Sequence, residues 1–272
     1  MTLPRLGAAL TLERFRPLRD WICDSARPLE IQDFVGPEVI AGDCADRIAA
    51  WQQALAGHQG LRGIHGPFFG LDISAPDREI RAVVQRRLIR GIEIAEALGA
   101  THMVVHSPFT FWHVLNYVNY PHLRGAIFEA AADCLAPVLA RAAEAGCTVM
   151  LENIDDTAPG DRTELVATID HPNLMVSLDT GHAELAHGRY GAPPVVDFIA
   201  ASAGRLGHVH LQDADGYADR HWHPGEGRIP WGPVFHALAI CAPDARLIME
   251  VNARHDRLPD TAARLAALGL AA

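Results

Sequence analysis

Six successive apolar stretches of the sequence each end in an imidazole or a carboxylate side chain. In chain order these residues are His65, His106, Glu152, Asp179, His210 and Glu250. A charged group at the end of a buried strand costs free energy unless something neutralises it, and carboxylates that meet at one place repel each other. A bound divalent cation removes both costs. Oxygen and imidazole ligands together suit Mn²⁺, Mg²⁺, Co²⁺ or Zn²⁺ and exclude a thiolate site.

Not all six residues point to a cation with equal force. Four of them are predicted to bind the cation jointly: Glu152, Asp179, His210 and Glu250. Each of the other two, His65 and His106, fits a hydrogen-bonded structural histidine equally well when it is taken alone. They are therefore retained as additional ligands of the metal or the substrate, with the structural role as the alternative.

The segment HVHLQDADGYADRHWHPGEG, residues 208–227, contains four histidines and three aspartates. A surface loop has no general need for so many such side chains, which indicates that they converge on a ligand. His208 stands two residues before His210 in the same predicted strand. We expect His208 on the opposite face of that strand, in a structural role.

Short apolar runs alternate with longer amphipathic ones along the whole chain. The predicted strands are 4–10, 28–35, 61–66, 101–106, 147–153, 174–179, 206–212 and 246–252. The predicted helices are roughly 43–56, 77–98, 124–145, 162–169, 193–203, 232–240 and 257–268. Eight strands that alternate with helices in a chain of this length predict a single α/β domain over residues 1–272, a closed (β/α)8 TIM barrel.

The competing fold is an open doubly wound sheet. Such a sheet favours a glycine-rich phosphate loop after an early strand, and the sequence contains neither GxGxxG nor GxxxxGK. In a closed barrel the C-terminal ends of all strands form one rim, where active sites lie. The barrel therefore accounts for the six strand-end residues, because it gathers them at one place.

Composition restricts the partners and the cellular compartment. The 272 residues carry a formal net charge of -10 and include no lysine. An acidic chain repels polyanions, so a nucleic-acid partner needs a local basic patch. The arginines of the predicted strand-end loops are scattered: Arg124, Arg162, Arg189, Arg220 and Arg228. Most others lie in the predicted helix 77–98, on a face expected to be solvated: Arg78, Arg81, Arg86, Arg87 and Arg90.

Five scattered cysteines, without a CxxC pair, are typical of reduced thiols in a cytoplasmic protein. The first fifteen residues contain too short an apolar run for a signal peptide, and no stretch reaches the length of a membrane span. We therefore expect a cytoplasmic protein without a membrane partner.

Five motifs, VMLEN, VSLDTGH, HVHLQD, HPGEGRIPW and LIMEVN, resemble successive signatures of the xylose isomerase-like TIM-barrel superfamily. The resemblance extends from about residue 61 to residue 252. The superfamily includes isomerases and epimerases of sugars and sugar phosphates, and endonuclease IV is a related branch. The resemblance implies a xylose isomerase-like barrel.

In the epimerase branch, the resemblance implies that one divalent metal ion is held by Glu152, Asp179, His210 and Glu250. The two glutamates then double as acid–base catalysts, and His182 contacts the substrate. The stretch DRHWHPGEGRI is similar to a loop of hydroxypyruvate isomerases, which implies that Arg220 faces the substrate.

The endonuclease IV branch implies a different centre of three zinc ions with nine ligands. A residue of the right type stands at every position: His65, His106, Glu152, Asp179, His182, His210, Asp219, His221 and Glu250. The sequence also departs from that branch. The loop between His210 and Asp219 is shorter than in that branch, and the segment after His106 lacks the usual Pro-Gly step. Few basic side chains are available to bind the DNA phosphates.

These observations favour a divalent-metal-dependent sugar or sugar-phosphate isomerase or epimerase. In this reaction a base removes a proton from a sugar carbon, which gives an enediolate that the metal would stabilise. Glu152 and Glu250, on opposite sides of the site, would transfer the proton. Two classes stay open beside it, an endonuclease IV-like multi-zinc phosphodiesterase and a metal-dependent dehydratase of the inosose or dehydroshikimate type. A barrel that only binds a ligand is the remaining alternative.

The expected partner is a small carbohydrate, with a leaning to an unphosphorylated one because no dedicated phosphate loop is found. Aromatic residues of the predicted strand-end loops are suited to packing against a sugar: Phe68, Phe69, Phe109, Phe111, Trp112 and Trp222. Each of them fits a subunit interface equally well, so a homo-oligomer in which these side chains contact a second subunit is the alternative.

Overall fold

The computed structural model describes residues 3–272 and contains eight parallel strands that close into a barrel in the order β1 to β8, each paired with its neighbours and β8 with β1. The strands are β1 Gly7–Leu10, β2 Leu29–Ile31, β3 Arg62–His65, β4 His102–His106, β5 Thr148–Glu152, β6 Leu174–Asp179, β7 Leu206–Leu211 and β8 Arg246–Met249. All eight predicted strands are confirmed, most of them shortened at one or both ends.

Helices surround the barrel. The first six are α1 Leu12–Asp24, α2 Pro37–Ala41, α3 Ala45–Ala54, α4 Arg78–Ala97, α5 Phe111–Asn116 and α6 Leu123–Glu144. The others are α7 Pro159–Ile169, α8 Thr180–Tyr190, α9 Val195–Ala201, α10 Trp231–Cys241 and α11 Leu258–Ala267, with a 3-10 turn at His255–Arg257. The predicted (β/α)8 barrel is confirmed. Four helices, α1, α2, α5 and α8, were not predicted.

The main hydrophobic core lies between the strands and the helices. The apolar stripes of the helices pack there against the strands and against one another, as where Phe15 of α1 contacts Trp51 of α3 at a ring separation of 5.3 Å. The helices begin and end as the sequence indicates. Asp77 caps α4 by accepting hydrogen bonds from the backbone N–H groups of Glu79 and Ile80. Gly99, with a φ of +64°, follows the end of this helix.

The expectation of a solvated arginine face on α4 is wrong for Arg81. Its side chain is buried where α4 packs on α6, and it pairs with Asp133 at 2.9 Å while also donating to the carbonyl of Ala75. Arg162, at the start of the predicted helix 162–169, lies within α7 and is completely buried, so it is not available on a strand-end loop. Within residues 3–272, no helix has both the length and the apolar character needed to cross a membrane.

Candidate metal centre

The strand register brings the predicted ligands to one rim of the barrel. His106 at the end of β4 pairs with Glu152 at the end of β5, and Asp179 at the end of β6 pairs with His210 of β7. Glu250 follows β8 directly, and its backbone N–H donates to the carbonyl of Leu211. The six strand-end residues therefore meet above the C-terminal ends of β3 to β8.

Four of them form what we call the central cluster: Glu152, Asp179, His210 and Glu250. Each offers one ligand atom within 4.8 Å of the other three. His210 Nδ1 contacts a carboxylate oxygen of Glu152 and lies 3.4 Å from Glu250 Oε2. Three of the four side chains are buried, and that of Glu250 is 15% exposed. The predicted four-residue set is thus brought together with its donor atoms converging.

A second group, the strand cluster, consists of His65, His106 and Glu152. The Nε2 atoms of His65 and His106 lie 3.6 and 3.8 Å from Glu152 Oε2. The Nδ1 atom of His65 lies 2.9 Å from the carbonyl oxygen of Gly66 and therefore carries the proton. Burial lowers the pKa of His65, but the hydrogen bond and the charge of Glu152, which its Nε2 faces, outweigh burial and raise that pKa.

The third group, the loop cluster, consists of His182, Asp219 and His221. Asp219 lies 3.4 Å from His182 Nε2 and 3.1 Å from His221 Nε2. The Nδ1–H of His182 donates to the carbonyl of Asn153 at 2.9 Å, which leaves Nε2 for the cluster. All nine predicted candidates thus fall into three adjoining groups, with Glu152 common to two of them.

His182, three residues after Asp179, follows β6 without an intervening loop. It lies in the first turn of α8, which begins directly after the strand. The backbone N–H of His182 donates to Asp179 Oδ1 at 2.7 Å, so the ligand Asp179 is also the cap of the helix. The cap fixes the position of His182 relative to the central cluster.

The segment that carries Asp219 and His221 is folded around the buried side chain of Asp213. This carboxylate accepts hydrogen bonds from the backbone N–H of Gly225 and the indole N–H of Trp231, at 2.7 and 2.9 Å. His221 has a φ of +47°, which is uncommon for a residue other than glycine. Backbone strain of this kind is maintained only where the surroundings enforce it, and here it turns the imidazole toward Asp219.

The central cluster contains a buried oxygen without a partner, which tests its fit to a cation. Asp179 Oδ1 accepts from His182 and from Gln212 Nε2, whereas Oδ2 has no hydrogen-bond donor among residues 3–272. Burial, together with the charges of Glu152 and Glu250, raises the pKa of Asp179 to about 6 against the opposing charges of His182 and His221. A divalent cation satisfies this oxygen and stabilises the ionised carboxylate, so the residues fit the metal that the fold implies.

Two imidazoles of the site, those of His210 and His221, carry charge in the absence of a cation. Burial alone lowers the pKa of His210, but the charges of Glu250, Glu30 and Glu152 outweigh it and raise the pKa well above its usual value. The pKa of His221 rises to about 9 against burial, through its hydrogen bond to Asp219 and the charge of Glu250. A cation that binds here must therefore displace protons.

The predicted substrate contacts lie around the rim. Arg220 pairs with Asp215 at 2.8 Å and covers the ring of Trp222 at 5.4 Å. Trp112 lies in α5 with nearly half of its surface exposed. Phe109, by contrast, is buried in the core, so its predicted contact with a sugar is wrong. The roles of Arg220, Trp112 and Trp222 stay predictions.

The predicted face of His208 is wrong, whereas its contacts fit the structural role that was expected of it. His208 and His210 are two residues apart in β7, and residues i and i+2 of a strand share a face. Both point into the barrel, with ring centroids 4.6 Å apart. His208 Nδ1 lies 2.9 Å from Ser177 Oγ, and its Nε2 lies 3.0 Å from a carboxylate oxygen of Glu30.

Four polar residues that form hydrogen bonds with the predicted metal-binding residues were not predicted from the sequence. They are Glu30, Gln32, Asn153 and Gln212. Gln212 Nε2 lies within hydrogen-bond distance of both Asp179 and Asp219, and so links the central and loop clusters. A signal for Glu30 was present, because an ionisable residue interrupts the apolar run PLEI at a strand interior.

Comparison with known proteins shows the family. A family model described as Xylose isomerase-like TIM barrel matches residues 35–269. The chain belongs to this family.

Among curated relatives, the uncharacterized protein MJ1311 of Methanocaldococcus jannaschii is 27% identical over 194 residues, 69% of this chain and 63% of its own. D-psicose 3-epimerase of Ruminiclostridium cellulolyticum is 25% identical over 193 residues, 68% of this chain and 61% of its own. The chain thus matches about three fifths of the length of these relatives.

Among solved structures, the TTHB071 protein of Thermus thermophilus, from a crystal soaked with ZnCl2, is 26% identical with a TM-score of 0.70 and 97% coverage of both chains. Several sugar epimerases share the fold at 18–19% identity and TM-scores of 0.67–0.70. This last likeness shows the fold alone.

Proposed function

We propose that this protein is a divalent-metal-dependent isomerase or epimerase of a small carbohydrate. The observation that carries the proposal is the central cluster, in which two glutamates from strands on different sides of the barrel converge with Asp179 and His210. The resemblance to D-psicose 3-epimerase supports the same reaction class. Glu152, Asp179, His210 and Glu250 would hold the cation.

A bound divalent cation supplies Lewis-acid chemistry, which polarises the carbonyl of an α-hydroxy carbonyl sugar and makes its neighbouring C–H bond more acidic. The chain supplies the proton transfers. Burial alone raises the pKa of Glu152, but His210 and His65 hold it well below its usual range. Glu152 is therefore ionised and able to accept a proton.

Glu250 lies three strands away from Glu152 around the barrel and contacts the same imidazole, His210. A sugar carbon between the two carboxylates can lose a proton to one and regain a proton from the other. His182, with Nε2 directed to the loop cluster, is placed to donate a hydrogen bond to a substrate oxygen. Exposed aromatic side chains at the rim of the barrel, including Trp112, can cover the sugar and exclude water.

A second candidate, phosphoester hydrolysis by several metal ions, is favoured by a separate observation. The strand cluster and the loop cluster adjoin the central cluster, and together they use all nine residues that the endonuclease IV branch implies. Multi-metal sites stabilise the attacking and leaving oxygens of a phosphoryl displacement. The scattered arginines and the absence of lysine weigh against a DNA substrate.

One experiment distinguishes the two candidates. The protein is loaded with Mn²⁺ or Zn²⁺ and incubated in D₂O with ketoses that include D-psicose, D-tagatose and D-fructose, and in parallel with an abasic DNA duplex. We expect deuterium to enter the sugar at carbon and the DNA to stay intact. Nicked DNA without exchange into any sugar contradicts the isomerase proposal and supports the hydrolase.

The variant His106→Gln sharpens this test, because His106 belongs to the strand cluster and not to the central cluster. Exchange that depends on the central cation alone is expected to persist in this variant. Hydrolysis that needs every metal position is expected to fall sharply in it.

A further inference from the structure

A completely buried carboxylate lies beneath the central cluster, inside the barrel. It belongs to Glu30 of β2, a strand that contributes none of the nine candidate ligands. The Nε2–H of His210 donates to Glu30 Oε1 at 2.8 Å. The two oxygens of Glu30 face the side-chain nitrogens of three histidines and of Gln32, so the carboxylate is surrounded by possible donors.

This hydrogen bond determines which nitrogen His210 presents to the cluster. A carboxylate can only accept, so Nε2 carries a proton and points down into the barrel. Nδ1 is then the atom that faces the cluster, where it contacts Glu152 and lies 3.4 Å from Glu250 Oε2. Loss of Glu30 would remove the hydrogen bond that fixes the orientation and the tautomer of the His210 imidazole.

A second residue, directly after β2, acts on another ligand. Gln32 Nε2 donates to Glu250 Oε1 at 2.8 Å and lies 3.2 Å from Glu30 Oε1. Because Oε1 of Glu250 is engaged, its Oε2 is the oxygen that faces the clusters, 3.6 Å from His221 Nδ1. One short segment thus orients both His210 and Glu250, which approach from β7 and from the end of β8.

We propose that Glu30 and Gln32 are positioning residues of the metal centre, which present His210 Nδ1 and Glu250 Oε2 to the cation. The inference rests on the metal centre of the proposed function. Hydrogen-bond partners of metal ligands fix ligand orientation, and their loss typically costs about 10–100-fold in metal affinity. The same two residues serve an isomerase or a hydrolase, so the inference does not depend on which reaction the centre performs.

A purely structural role for Glu30 makes a different prediction. Its other oxygen lies 3.0 Å from His208 Nε2 and 3.5 Å from His102 Nε2, so Glu30 could serve only to hold these buried rings. Its loss would then lower the stability of the protein and leave its metal affinity unchanged. Metal affinity of the folded protein therefore separates the two roles.

The test measures Co²⁺ affinity by competition with a chromophoric chelator, together with the visible absorption spectrum of bound Co²⁺. Glu30→Gln is expected to bind Co²⁺ about 10–100-fold more weakly than the wild type, with a changed spectrum. Gln32→Met, which keeps the length of the side chain and removes its amide, is expected to weaken binding as well. The matched control is Ser177→Ala, which removes the contact on the far side of His208 and is expected to leave both affinity and spectrum unchanged.

Circular dichroism establishes that each variant is folded, and Gln32→Met decides the question if Glu30→Gln does not fold. Folded variants that bind Co²⁺ with wild-type affinity and spectrum overturn the positioning role and leave the metal centre standing. Wild-type protein that binds no cation overturns the metal centre and this inference with it. The two failures are thus distinguishable.

Discussion

Replacement of Glu152 by glutamine is expected to abolish proton exchange into the sugar while the fold is retained. Glu152 is shared by the central and strand clusters, and only 1% of its surface is exposed. Glutamine keeps the size of the side chain but can neither accept a proton from carbon nor offset the charge of a cation. Loss of the base alone costs roughly 10²–10⁴-fold in rate, and weaker metal binding adds to that loss. The measurement is deuterium incorporation at saturating metal and sugar.

The matched control is Glu164→Gln in α7, where an exposed glutamate pairs with Arg124 on the outside of the barrel. This variant has the same chemical change and is expected to exchange at the wild-type rate. Exchange at the wild-type rate in Glu152→Gln, with metal bound, would show that this carboxylate is neither the base nor its essential partner.

The second large effect concerns stability. Asp156→Asn is expected to lower the free energy of unfolding by about 3–5 kcal/mol, because it leaves the buried charge of Arg162 uncompensated. Both side chains of this pair are fully buried, and Asp156 Oδ1 lies 3.1 Å from Arg162 Nη1. Asp156 also accepts from Ser107 Oγ at 2.9 Å, and Ser107 donates its backbone N–H to the carbonyl of Glu152. The pair therefore supports the loops directly behind the metal centre.

Denaturant unfolding of the metal-free protein measures this effect without a contribution from bound cation. Glu93→Gln is the control, because Glu93 and Arg90 form an exposed pair on α4. Such pairs contribute about 0–1 kcal/mol. A loss of this small size in Asp156→Asn would contradict the view that the buried pair is essential to the fold of these loops.

The positions of the strand-end residues could be predicted from the sequence because the closed barrel determines where each strand ends. Once each apolar run is a strand, its C-terminal residue must lie at the common rim, and His65, His106, Glu152 and Asp179 are found there. The loop cluster was different in kind. Asp219 and His221 lie in an irregular segment whose path depends on Asp213. The histidines and aspartates of residues 208–227 indicated a ligand there, but only the resemblance to a known family singled out these two residues.

The polar interior of the barrel was not predicted, for two reasons. Glu30 lies within a strand, whereas the reasoning considered strand ends, and its partners come from distant strands that no local pattern connects. His208 was assigned to the wrong face because the two-residue period of a strand was misapplied. The helix α8 was missed because it begins at Thr180, with no turn after β6, and the segment TGHAELAHGRY has too few large apolar residues to show a helical period.

Anomalous diffraction from crystals soaked with Mn²⁺ shows directly whether a divalent cation binds in the central cluster. We expect a strong anomalous peak in contact with Glu152, Asp179, His210 and Glu250, and further peaks in the strand and loop clusters would favour the multi-metal candidate. Crystals soaked at saturating Mn²⁺ with no peak between these four side chains would contradict the claim that a divalent cation brings them together.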